Sequence, residues 1–443
     1  MTLHLNNLLK RILPDWIYDK LIGRWNSDGL KRYTANTLWA LVARITSLVV
    51  SFFVSIYLVR YLGPENYGQL SYAISFVGLF SIISNVGIDN ILYRDLIKYP
   101  SERNAYLGSA FIIKFAAGAL ASLATIISVY LLSTSDVSRL VIVLLSATFL
   151  FNAFNVIGYQ FQADVAQKYT SIIALFAVFT LNLLKLLVIW MDEGILYIGV
   201  IFLIESILYA VLFLAAYLWR YGSLLNWRFS RRISLSLLRD SWPFIFIAAF
   251  TTIYARIDQV MLKHMMDASA VGLYDAAVRL AEIWLFVPAL IASSLFPAIV
   301  NARENNPIEY KKRLVLLTGL LAIFGLLVAI PATILAEEMT LFLYGSAFIA
   351  SAGVLSIYVW ASVFASIDIV VRYFLIAENR RTLIFIISMG TALVNVGLNL
   401  FLIPKYGIIG AAWATLISYV LLTVPFLLIL KLKVKAPKIN EVQ

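Results

Sequence analysis

Apolar residues fall into twelve blocks, at 38–59, 70–88, 106–132, 139–158, 170–190, 195–219, 242–262, 276–300, 313–336, 352–376, 382–403 and 408–430. Each is near the ~20 residues that a helix needs to cross the hydrocarbon of a bilayer. None alternates apolar and polar side chains over about ten residues, as the strands of a transmembrane barrel do. The pattern predicts an all-α polytopic membrane protein with twelve transmembrane helices. Two polar stretches carry an apolar stripe of their own. In the leader, Leu5, Leu8, Leu9, Ile12, Trp16 and Ile17 recur at helical spacing among Lys10, Arg11 and Lys20. In 220–241, Trp227, Phe229 and Leu237 stand among Arg228, Arg231, Arg232 and Arg239. Both stretches read as amphipathic helices lying in the membrane interface. The first long block begins near Leu38, too far in for the core of a cleavable signal peptide.

The blocks also repeat. Leu62–Ala73 aligns without gaps on Met266–Ala277 at an offset of 204, and Gly194-Ile195 matches Gly407-Ile408 at an offset of 213. Six spans per copy is an even number, so both copies run in the same direction. This predicts two six-helix lobes, 37–219 and 242–430, facing each other around a central cavity. A basic linker (220–241) joins them, and a cytoplasmic leader (1–36) and basic tail (431–443) flank them. Transporters built from repeats place the substrate site between the copies.

Composition narrows the class. The chain is 62% hydrophobic and 13% charged, against about 25% charged in soluble domains, which excludes a water-soluble enzyme. It has no cysteine for a disulfide framework, and two distant histidines, His4 and His264, do not make a zinc site. The phosphate-binding loop of ATPases, the Gly-x-Ser-x-Gly elbow and the His-Glu-x-x-His motif are all absent from the sequence. With the N-terminus in the cytoplasm, the 35 Lys and Arg divide into 25 on the cytoplasmic side, six within spans, and four outside (Arg60, Arg139, Lys263, Lys405). That asymmetry places both termini in the cytoplasm. It also accounts for the net charge of +11 without a nucleic-acid partner. The longest outer loop, 337–350, is too short for an extramembrane catalytic domain.

Six cations lie inside spans: Arg44, Lys114, Lys185, Arg256, Arg279 and Arg372. Four acids accompany them: Glu205, Asp258, Glu282 and Asp368. Each costs about 2.5–3.5 kcal/mol at a helix centre, so all ten should face one another or a wet cavity. Arg279 with Glu282 and Asp368 with Arg372 have the spacing of helical ion pairs. Arg256 and Asp258 diverge on a helix, and Arg44 and Lys114 have no acid in their own spans. The surplus of two cations points to a cavity for an anionic cargo, with Arg44, Lys114 and Arg256 foremost. Glu205, Asp258, Glu282 and Asp368 are the candidates for carrying a coupling proton or sodium ion; pairing within the membrane is the competing reading for each. Pro288 is expected to kink span 8 and is the hinge candidate. Asn152, Asn155, Gln162, Tyr254, Trp284, Tyr358 and Trp360 are polar or aromatic groups suited to sugar recognition.

Two segments carry a family resemblance. Tyr61-Leu62-Gly63-Pro64-Glu65-Asn66-Tyr67-Gly68-Gln69-Leu70-Ser71-Tyr72-Ala73, between spans 1 and 2, and Tyr406-Gly407-Ile408-Ile409-Gly410-Ala411-Ala412-Trp413-Ala414, before span 12, resemble the polysaccharide transporter family. That family belongs to the multidrug/oligosaccharidyl-lipid/polysaccharide (MOP) exporter superfamily. Twelve spans resemble its O-antigen (Wzx-type) flippase branch more than the fourteen-span lipid II branch. The resemblance implies a MATE-like V-shaped cavity with alternating access. It implies transfer of an undecaprenyl-diphosphate-linked oligosaccharide from the cytoplasmic to the periplasmic leaflet of the bacterial inner membrane. It further implies no bound cofactor, coupling to a proton or sodium gradient, and a polysaccharide polymerase and chain-length regulator as partners beside the membrane lipid. Arg44 and Arg279 fall in spans where relatives carry cavity arginines. The alternatives are a cation-coupled multidrug exporter of the same superfamily and a membrane polymerase or ligase.

Overall fold

The computed structural model describes residues 28–132 and 136–432. The leader stripe from Leu5 to Ile17 and nearly all of the basic tail lie outside these residues. The described chain forms fourteen α-helices and no strand. The first half holds α1 (Asp28–Asn85), α2 (Asp89–Lys98), α3 (Arg103–Leu131), α4 (Asp136–Phe151), α5 (Val156–Ala163), α6 (Gln167–Trp190) and α7 (Ile195–Tyr221). The second holds α8 (Arg231–Met265), α9 (Ala268–Glu282), α10 (Phe286–Asn305), α11 (Pro307–Ile334), α12 (Ala336–Tyr344), α13 (Ser351–Ala377) and α14 (Arg381–Leu432).

Ten helical runs are long and apolar enough to span a membrane, and two of them are double-length, Trp39–Lys98 and Thr382–Val424. The second, at 43 residues, would reach about 65 Å as a straight helix, twice the hydrocarbon thickness. Each double run folds back at one glycine with positive φ: Gly63 (φ 68°) in α1 and Gly407 (φ 57°) in α14. A side chain would be strained there. Pro64 then opens the next helix where a missing N–H costs nothing. The two breaks raise ten runs to the twelve passes expected, in two six-helix lobes.

Span 8 is interrupted as its proline predicts. α9 ends at Glu282, a 3₁₀ turn covers Ile283–Leu285, and α10 begins at Phe286 with Pro288 buried in its first turn. The pyrrolidine ring displaces the carbonyl four residues back, which belongs to Trp284. Span 4 has a comparable break without proline: a 3₁₀ turn at Asn152–Asn155 separates α4 from α5.

The linker differs from expectation. α7 continues to Tyr221, and α8 starts at Arg231 and runs 35 residues without a break. The second half of 220–241 is therefore the N-terminal extension of a transmembrane helix, not a separate interfacial one. Ser230 sets its start by accepting a hydrogen bond from Ile233 N. Large apolar side chains are exposed, among them Trp190, Phe342 and Leu131 at 80% or more.

Candidate functional site

The lobes meet where the second half of α1 crosses α9, and the crossing is dyad-like. A Cβ on Gly68 would strike Ala268 O and lie 2.8 Å from Gly272 N. A Cβ on Gly272 would strike Pro64 O and lie 3.0 Å from Gly68 N. Gly68 and Gly272, like Pro64 and Ala268, are related by the offset of 204 seen in the sequence. One turn further on, the next equivalent pair also touches: Ser71 Oγ donates to Asp275 Oδ2 at 2.9 Å. The sequence repeat is thus a spatial repeat, and its axis runs between the two glycines.

Asp275 is the hub of this junction. Its Oδ2 accepts from Tyr67 OH, from Ser71 Oγ and from Arg279 Nε (2.9 Å), and its Oδ1 accepts from Gln259 Nε2 (2.7 Å). Ser75 Oγ donates to Gln259 Oε1. The Arg279 guanidinium also lies over the Tyr67 ring, 5.6 Å from its centroid. Three donors from α1 therefore bond to Asp275 of α9 and Gln259 of α8. Asp275 is almost fully buried, whereas the Arg279 side chain is 41% exposed. Its terminal nitrogens remain for another anion.

Beyond this seal the cations separate into two kinds. Arg256 is exposed, its stem passes beside Gly78 of α1 (3.9 Å to a Cβ built there), and it pairs with no acid among the described residues. Its charge reaches Asp275 and Glu282, and its contact with Gly78 sets it between the two halves. Arg372 is held by Asp368 (2.6 Å) and donates to Tyr254 OH (3.3 Å). Arg44 is exposed on α1. Lys114, by contrast, is 3% exposed, ion-paired with Asp89 and beside the Tyr159 ring. It is a structural ion pair and not a free cavity cation. The expected Arg279–Glu282 pair is also absent: Arg279 turns back to Asp275, and Glu282 accepts from Tyr358 OH at 2.8 Å.

Two acids outside the apolar blocks take part in these pairs. Asp89 and Asp275 each lie one residue outside an apolar block, at 70–88 and 276–300. Both pair with cations counted within the spans, Asp89 with Lys114 and Asp275 with Arg279. What distinguishes the cleft is which cations are left unpaired, Arg256 above all. Asp275 carried a signal in the sequence, since it occupies the repeat position of Ser71.

Two further polar clusters flank the cleft. Asp258, 5% exposed, has no cationic partner among the described residues. Asn399 Nδ2 donates to its Oδ1 (2.6 Å), and Thr415 Oγ1 (2.6 Å) and Tyr274 OH (2.7 Å) donate to its Oδ2. Asn399 Oδ1 is buried without a hydrogen-bond partner, and Asn395 lies beside it. Three neutral donors, one of them an amide nitrogen, thus satisfy one buried carboxylate without a cation, an arrangement open to a proton or an alkali cation. The described residues contain no cluster of three His, Cys, Asp or Glu side chains for a heavier metal.

Within the first lobe, Phe151, Asn152, Asn155, Phe202, Glu205, Ser206, Tyr209 and Phe213 line a cavity of about 450 Å³. Lys185 sits against the Phe202 ring (5.0 Å) and feels the charges of Glu205 and Arg279. Of the residues read as suited to sugar, Asn152 and Asn155 face this cavity. Tyr254, Tyr358 and Trp360 instead bond Arg372, Glu282 and Thr333.

The profile of a family described as "Polysaccharide biosynthesis protein" matches residues 33–303. The chain is 33% identical over 175 residues to "Probable flippase AglR" of Haloferax volcanii, a stretch covering 38% of this chain and 36% of that protein. The match thus spans about a third of that relative's length. Among solved structures, an inward-facing multidrug resistance MATE transporter of the MOP superfamily superposes with a TM-score of 0.72 at 12% identity, covering 87% of this chain and 94% of that one. The lipid II flippase MurJ, in an inward closed conformation, superposes with a TM-score of 0.69 at 18% identity, covering 89% and 87%. The fold is that of MATE transporters and MurJ, and the chain, a multi-pass membrane protein, belongs to the polysaccharide biosynthesis protein family.

Proposed function

We propose that this protein is a flippase that carries a lipid-linked oligosaccharide, an undecaprenyl-diphosphate-linked repeat unit of a surface polysaccharide such as O-antigen, across the bacterial inner membrane. The observation that carries this reading is Arg256: an unpaired guanidinium exposed in the cleft between two lobes. Arg279, whose charge acts on the same Asp275, is the second cation offered to a diphosphate. Arg44, exposed on α1, and Arg372, held by Asp368, are the further candidate contacts for the cargo, and the lipid tail stays in the bilayer. Both termini lie in the cytoplasm, so the Asp275 junction is the periplasmic seal and the cargo enters from the cytoplasmic side. Alternating access follows by breaking this seal and closing the opposite end. The boundaries 37–219 and 242–430 define the two moving lobes, with a polymerase and a chain-length regulator receiving the product.

Charge-assisted hydrogen bonds contribute about 1.5–3 kcal/mol each. Arg256→Ala is therefore expected to weaken binding of inorganic pyrophosphate to the purified protein by roughly tenfold or more. It should also lower surface polysaccharide in a complemented flippase-deficient strain. Wild-type pyrophosphate affinity together with full surface polysaccharide in that variant would refute the diphosphate site.

Asp258 supplies the coupling site in this proposal. Sodium bound only by the folded state raises stability, by about 2.7 kcal/mol at a hundred times its dissociation constant. The expected result is a higher Tm in sodium than in choline chloride, abolished by Asp258→Asn. Equal Tm values in the two salts, with transport still dependent on pH, would assign the site to a proton instead.

A further inference from the structure

We infer that the cavity of the first lobe is a sugar subsite, which holds one neutral pyranose of the cargo while the diphosphate occupies the cleft. The inference rests on the flippase reading and extends it to the part of the cargo that differs between polysaccharides.

Two broken or aligned helices build the cavity. Phe202, Glu205, Ser206, Tyr209 and Phe213 recur at three- and four-residue spacing, so they form one face of α7. Opposite stands the 3₁₀ turn at Asn152–Asn155, where span 4 abandons its helical ladder inside the membrane. Irregular backbone at membrane depth is tolerated where it lines a cavity. Asn152, Asn155 and Glu205, all partly exposed to the cavity, make no side-chain hydrogen bond to any described residue. A ligand rich in hydroxyls would satisfy them: the carboxylate accepts from paired hydroxyls, and each amide both donates and accepts. Phe151, Phe202 and Phe213 supply apolar walls for the C–H faces of a ring. The volume lies within the ~300–1,000 Å³ of small-molecule sites.

Charge selects a neutral sugar. Glu205 disfavours an acidic ring, and Lys185, behind Phe202, disfavours a cationic one. Lys185, which touches the cavity wall at Phe202, also feels the charge of Arg279 of the second lobe.

The test is saturation-transfer NMR on the full chain in lipid nanodiscs, with methyl glycosides of neutral hexoses, deoxyhexoses and N-acetylhexosamines as probes. At least one glycoside should receive saturation on its ring protons, and Asn152→Leu and Glu205→Leu should each reduce that signal by about fivefold or more. Arg256→Ala should leave it unchanged while losing pyrophosphate affinity, so the sugar subsite and the diphosphate site fail separately. Linking the responding sugar to farnesyl diphosphate should tighten its binding by roughly tenfold or more, because both sites engage one molecule. Three results would overturn the inference: no transfer from folded wild type to any glycoside, transfer indifferent to the two cavity substitutions, or equal affinity for the linked and unlinked sugar. The last would assign the cavity to a free sugar.

Discussion

Asp275→Ala is expected to open the sealed end of the cleft and abolish transport. The substitution removes the acceptor for Tyr67, Ser71, Gln259 and Arg279 together. Each buried donor left without its acceptor, Tyr67, Ser71 and Gln259, costs about 1–3 kcal/mol, whereas the partly exposed Arg279 regains water. That cost falls only on the conformation in which the lobes meet at this end. In the opposite conformation Arg279 faces water. A bias of about 3 kcal/mol shifts a two-state population by roughly a hundredfold. The chain has no cysteine, so one introduced at Gly78, beside Arg256 in the cleft, reports access without background. Labelling of Gly78→Cys by a membrane-impermeant maleimide from the periplasmic side should be slow in the parent and rise by roughly tenfold or more with Asp275→Ala. An unchanged labelling rate would show that Asp275 does not hold the seal.

A single methyl group at Gly272 is expected to do the same by steric means. The Cβ of Gly272→Ala would overlap Pro64 O, and that of Gly68→Ala would overlap Ala268 O. Both obstacles are backbone atoms, which cannot rotate away, so α1 and α9 must separate. Either substitution should raise periplasmic labelling and stop export while membrane insertion proceeds, since alanine favours the helix by up to about 1 kcal/mol. Gly319→Ala is the control, because nothing lies within 4 Å of a Cβ there. Export equal to wild type in Gly272→Ala and Gly68→Ala would mean that this crossing is not needed in the transport cycle.

The apolar blocks made the fold legible because hydrocarbon thickness constrains length far more strictly than any soluble core does. Twelve passes follow from it, the two lobes from the repeat, and the span 8 break from Pro288. The site was legible in part. Asp368 and Arg372 pair as their spacing predicts, since both lie on one turn of α13. Lys114 could not be assigned from its own span, because its partner Asp89 belongs to a separate helix. Arg279 has acids on either side in sequence, Asp275 and Glu282. Tertiary contacts decide between them: Tyr358 occupies Glu282, while α1 buries Asp275 against Arg279. The Asn399, Asn395 and Thr415 shell around Asp258 left no trace in a search for charges, because its members are neutral.

The dyad at Gly68 and Gly272 has a consequence for how such a chain can come to exist. In a dimer of identical six-helix subunits, every residue on the symmetry axis meets its own copy. Ser71 would face Ser71, or aspartate would face aspartate, two like charges in a buried interface. Fusion of the two copies into one polypeptide lifts that restriction. Serine on one side and aspartate on the other become donor and acceptor, a complementary pair that no homodimer could place on its axis. The two glycines, which suit both halves equally, have stayed the same.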